Sequence, residues 1–151
     1  KKIDTISLLF CNNPAIDVNL LNEAIDFLKA SDDFDSCFSV ANYDMFSPQR
    51  ARKLDETTQE ILPFIDLNLL GDFSSIRGSQ GSVYFCDLSI QVMKKRCFTN
   101  MSDGNLPFKW QGKKSKAMIT DFGFDVDSIW QQKVIEYWLE NRGFTKDNIP
   151  W

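Results

Sequence analysis

In "GFDVDS", residues 123–128, two carboxylates, Asp125 and Asp127, occupy alternate positions just ahead of an amphipathic stretch that runs to Phe144. In an extended chain, residues i and i+2 point to the same face, so these acids project side by side. Two hard oxygen donors suit magnesium, which takes one or two carboxylates and completes its shell with water and substrate phosphate. Like charges held this close repel, and a cation relieves the repulsion. The same residues support a plainer reading, in which Asp127 or Ser128 caps the following helix and Asp125 faces water. An Asp-x-Asp spacing recurs throughout proteins, so spacing alone leaves both readings open.

Other chemistry is removed by what the chain lacks. It contains no histidine, which excludes imidazole-dependent nucleophiles and the commonest zinc ligand. Cys11, Cys37, Cys86 and Cys97 form no Cys-x-x-Cys pair and fall in mostly apolar contexts. They read as buried reduced thiols of a cytoplasmic protein.

The elements that must position the acids follow from the pattern. At 151 residues the chain is sized for a single α/β domain spanning residues 1–151, large enough to bury a core without metals or disulfides. An apolar fraction of 43% with thirteen phenylalanines excludes a disordered chain, and no apolar run approaches the ~20 residues of a membrane span. A net charge of -4 and a pI near 4.8 argue against a general nucleic-acid binder. The chain opens on Lys1 with an apolar strand almost at once, which reads as a fragment or a trimmed start.

"TISLLF", residues 5–10, is a continuous apolar run suited to a strand covered on both faces. Helical spacing of Leu20, Leu21, Ala24, Ile25 and Leu28 predicts a helix over 18–30 with Asp17 or Asn19 as its cap. A strand at 36–41 completes a βαβ unit. "SVYFC" predicts another strand, "DLSIQVMKKR" a helix capped by Asp87, and "SKAMIT", residues 115–120, a strand. The closing helix begins near Ser128, with Trp130, Val134, Tyr137 and Trp138 on one apolar stripe, and ends before Gly143. Alternating strands and helices predict an α/β architecture with a mixed, mostly parallel sheet. The basic "MKKRC" and "KWQGKKSK" segments read as a solvated helix end and loop on an acidic chain.

The order "LLFCNNPAID", helix, "DSCFSV", "GSQGSVYFC" and "FDVDSIWQQKVIEYWL" resembles the landmarks of the acylneuraminate cytidylyltransferase family, the CMP-sialic acid synthetases and their relatives. There a "PTSP"-like turn, an "SV" strand, an "NGAIY"-like strand and an "IDIDTPED"-like acid pair occur in the same sequence. The resemblance implies a three-layer α/β/α Rossmann-like (GT-A-like) nucleotidyltransferase fold. It also implies transfer of CMP from CTP to the anomeric hydroxyl of an acidic, sialic acid-like sugar. Asp125 and Asp127 would then hold Mg2+, with Asn12, Asn13, Arg77, Gln80 and Gly81 contacting substrate. Arg77 offers a bidentate fork for a sugar carboxylate. Arg50 and Arg52 are second candidates for substrate or partner contact, and the family's central region implies a homodimer. Two departures stand out: Phe10 replaces the glutamine of "QPTSP", and the glycine- and arginine-rich loop that cradles the CTP phosphates has no counterpart here, so this stretch alone is expected to be inactive. The alternatives are a non-catalytic remnant that binds an acidic sugar or serves as a dimeric interaction module, and an unrelated α/β protein whose acids only cap a helix.

Overall fold

The computed structural model describes residues 3–70, 74–76, 78–79 and 81–150. Packing divides the chain into two compact units, one of residues 1–41 with 86–151 and the other of residues 42–85.

The first unit is built on a four-stranded sheet. Its strands are β1 (Thr5–Leu8), β2 (Ser36–Asn42), β5 (Tyr84–Lys94) and β6 (Ser115–Thr120), in the order β1-β5-β2-β6. β1 runs antiparallel to β5, with Thr5 opposite Lys94, and β2 runs parallel to β6, with Ser36 opposite Ser115. Lys94 N–H bonds the Asp35 carbonyl while Ile90 N–H meets Ser39 Oγ, a descending register that makes β5 and β2 antiparallel. The sheet is therefore mixed but mostly antiparallel, which corrects the mostly parallel expectation. β1 and β2 do share a direction, and β5 inserts between them.

α1 (Val18–Ala30) forms where the periodicity places it, and the Asp17 carboxylate caps it by accepting from the N–H groups of Asn19 and Leu20. Its Ala24 and Leu28 pack with Cys37, Ile90, Val92 and Met118 on one face of the sheet. The other face buries Phe38 and Met93 against Cys97 of the short α2 (Lys95–Thr99), with Phe108 and Trp110 over them. Residues 87–94, expected as a helix, belong to β5. Ile90 and Val92 face one way and Met93 the other, all fully buried, so burial on both faces hides the two-residue alternation that would mark a strand. Leu88 takes φ +61°, and this left-handed residue flips the side-chain alternation early in the strand.

α3 (Ile129–Glu140) buries Ile135 and Trp138 against Ala15, Phe122, Phe124 and Val126. Trp130, Val134 and Tyr137, expected on the buried stripe with Trp138, are exposed. The helix is apolar over more of its circumference than it buries. Cys37 and Cys97 are buried, Cys86 is half-buried, and Cys11 is exposed, contrary to the expectation of four buried thiols. Burial pushes the Cys37 thiol up to about 11, so it stays protonated and unreactive at neutral pH.

The second unit carries a hairpin of β3 (Arg52–Leu54) and β4 (Ile61–Pro63), with Leu54 opposite Ile61. The Asp55 carboxylate accepts from Thr57 N–H and Thr58 N–H at 2.9 and 3.0 Å and closes the connecting turn. All six strand residues are exposed. No helix among the described residues is long and apolar enough to cross a membrane.

Candidate functional site

The acid pair sits on the loop between β6 and α3. Val126 N–H donates to the Asn12 carbonyl at 2.7 Å, which pins the loop against the turn after β1. With Val126 facing that turn through its backbone, the residues on either side present their carboxylates to it. Asn12 Nδ2 donates to Asp127 Oδ1 at 3.3 Å, and Asn13 Nδ2 donates to Asp125 Oδ1 at 3.1 Å. The geometry thus brings together four of the residues singled out in the sequence: Asn12, Asn13, Asp125 and Asp127.

The capping question is resolved locally. Ser128 is the N-cap of α3. Gln131 Oε1 reaches back to accept from Ser128 N–H at 2.6 Å and from Asp127 N–H at 2.8 Å, a capping-box closure of the helix start. The Asp127 carboxylate is left out of that closure and faces Asn12 instead. Among the described residues, neither Asp125 nor Asp127 has a Lys or Arg partner, and each carboxylate uses one oxygen on a neutral amide. Two adjacent anions with an oxygen each to spare suit an open magnesium site. Among the described residues, no three His, Cys, Asp or Glu side chains converge into a closed metal cage.

Beneath the pair lies a polar cluster that sequence reading missed. Asp87, only 6% exposed, was expected as a helix cap. Its Oδ1 accepts from Ser39 Oγ, from Ser89 N–H at 3.0 Å and from Ser89 Oγ at 2.9 Å, and its Oδ2 accepts from Thr120 Oγ1 at 2.8 Å. Three hydroxyls and an amide compensate the buried carboxylate in place of a cation. The signal was the polar residues embedded in the apolar "DLSIQVM" and "SCFSV" segments; only the sheet order shows that they meet.

The remaining candidates lie in the second unit. Arg50, Arg52 and Gly81 line one hollow of about 140 Å3 together with Asp44, Ser47 and Gln49. Arg50 Nη2 donates to the Ser75 carbonyl at 2.7 Å. Arg52 Nη1 donates to the carbonyls of Gln49 and Ala51 at 2.8 and 2.9 Å. Both guanidiniums are steadied by backbone and keep further donors. Gly81 has φ +82°, a conformation that explains glycine at this position. Gln49 Oε1 is buried with no hydrogen-bond partner among the described residues. Arg77 and Gln80 lie outside the described residues.

No known family model matches the chain, and neither does any curated protein sequence.

Proposed function

We propose that this chain is a nucleotidyltransferase-like domain of the acylneuraminate cytidylyltransferase type, Rossmann-like in fold and cytoplasmic. In this reading it takes part in the transfer of CMP from CTP to an acidic, sialic acid-like sugar with Mg2+, together with the phosphate-cradling loop that this stretch lacks. The observation that carries the reading is the pairing of Asp125 and Asp127 over the Asn12–Asn13 turn, without a cationic partner among the described residues. Support also comes from the acids' freedom from helix capping and from the ordered sequence landmarks described above.

The two carboxylates would hold the ion, which on binding supplies Lewis-acid polarisation of the sugar hydroxyl and screening of the phosphates. The chain's own residues do the rest. Asn12 and Asn13 hold the acids in register, and the Asn12 carbonyl fixes the loop through Val126. The absence of histidine suits a mechanism of positioning and electrostatics rather than covalent catalysis. Arg50 and Arg52 line a hollow within the second unit, and the resemblance gives them a secondary role there in substrate or partner contact. The test is pyrophosphate release from CTP plus an acidic sugar, measured with the phosphate-cradling loop present in the polypeptide: Asp127→Ala should abolish it, and release that persists at the wild-type rate removes the metal role.

A second reading is favoured by the second unit. Its hairpin exposes Leu54, Ile61 and Leu62, and Phe64, Leu69 and Phe46 are exposed nearby in sequence. An isolated two-stranded ribbon is marginal in water, and apolar exposure of this kind marks association. In this reading the chain is a non-catalytic remnant that binds an acidic sugar or serves as a dimeric interaction module. Calorimetry separates the two readings, because a sugar-binding remnant should bind sugar with no dependence on CTP or magnesium.

A further inference from the structure

Asn13 is fully buried, and its side-chain amide is divided between two acceptors. Nδ2 donates to the Asp87 backbone carbonyl at 2.6 Å and to Asp125 Oδ1 at 3.1 Å, which uses both of its hydrogens. Oδ1 is buried with no partner among the described residues. A flipped amide would set oxygen against a carbonyl and a carboxylate, so the two donated bonds decide the orientation, even at the expense of an unmatched acceptor.

The same buried acid meets the acid-bearing loop a second time. A Cβ built on Gly123 would lie 2.5 Å from Asp87 Oδ2 and 2.7 Å from its Cγ. The loop backbone therefore rests on a carboxylate that Ser39, Ser89 and Thr120 hold rigid. Asp87 is thus tied to the loop through Asn13 and pressed against it at Gly123, two residues before Asp125.

We propose that Asp87 and Asn13 are positioning residues for the paired acids, so that ion affinity at Asp125 and Asp127 is set by a buried linkage that itself touches no ion. The inference rests on the cation reading given above. Partners of this kind, which hold the ligating groups without binding the metal, typically change metal affinity about 10–100-fold when removed.

The experiment is a manganese(II) titration by calorimetry of wild type, Asp125→Asn, Asn12→Ala, Asn13→Ala and Gly123→Ala, with hydrogen exchange of the Val126 amide measured in the metal-free proteins. Asn13→Ala and Gly123→Ala should each weaken manganese binding about 10–100-fold. Asn12→Ala, which removes one exposed hydrogen bond, should cost about twofold. Val126 protection should fall about tenfold in Asn13→Ala, the worth of a lost buried hydrogen bond. Unchanged affinity and unchanged Val126 protection in both linkage variants would overturn the proposal. If wild type and Asp125→Asn alike fail to bind manganese while Val126 protection still falls in Asn13→Ala, the cation reading is lost and the positioning of the loop stands. Should Asn13→Ala not fold, Asn13→Ser, which keeps one donor for the two acceptors, is read in the same way.

Discussion

The two units bury opposite things. The first hides Asp87, Asn13, Ser39 and Ser89 inside a layered core, and each of them donates or accepts hydrogen bonds there. The second leaves Ile61 at 72%, Phe64 at 65% and Leu69 at 82% exposure. Buried polarity persists only where the surrounding packing can over-determine it, so the first unit has the order needed to hold a chemical site. Exposed apolar surface on a thin ribbon is the basis of the proposal that a second copy covers it.

The largest effect is expected in the core of the first unit. Phe38→Ala removes a ring buried at 1% exposure and should lower stability by about 3–5 kcal/mol in chemical denaturation. A loss below about 1 kcal/mol would mean that the first unit is loosely packed and the comparison empty.

Next comes Asp35, whose carboxylate accepts from Lys113 N–H, Lys114 N–H and Arg96 Nε at 2.8, 2.9 and 2.6 Å. Burial pushes its pKa up, but the two backbone N–H groups and the Arg96 guanidinium outweigh this and hold it below the usual carboxylate range. Asp35→Asn should cost about 2 kcal/mol at neutral pH. Because the folded value lies below the unfolded one, the stabilisation is full above about pH 4 and is lost as pH falls through the folded value. Denaturation of wild type and variant between neutral and strongly acid pH should therefore converge only at the acid end.

A smaller effect is expected at the loop that carries the acids. Gln131→Ala removes the acceptor for the N–H groups of Asp127 and Ser128 and should cost about 1 kcal/mol, read by thermal unfolding. The smallest is in the ribbon. Ile61→Lys should change the stability of the monomer by about 0.5 kcal/mol or less, yet shift sedimentation toward a lighter species if a second copy covers the hairpin. A wild-type chain that sediments as a monomer at all concentrations would remove the homodimer from the proposal.

Much of this was legible beforehand. α1 and β6 have the predicted boundaries because a half-buried helix writes its period openly and "SKAMIT" is a short apolar run between turns. β5 was not legible, since a strand covered on both sides loses its alternation and can be mistaken for a buried helix. The stripe of α3 was misassigned for a related reason: Trp130, Val134 and Tyr137 form a helical stripe as regular as that of Ile135 and Trp138, and pattern cannot say which one finds a neighbour.

For the candidate site, the two-residue spacing of Asp125 and Asp127 predicted carboxylates on one side of an extended segment, and the structure sets each of them against the Asn12–Asn13 turn. Whether those acids cap a helix or face an asparagine turn was decided by tertiary structure. Ser128 and Gln131 satisfy the helix start, while Asn12 and Asn13, more than a hundred residues away in sequence, take up the acids. The buried anchor at Asp87 is likewise a product of strand order, which brings Ser39, Ser89 and Thr120 around one carboxylate. Local pattern records which way a side chain points; which groups meet it is set by the pairing of distant strands.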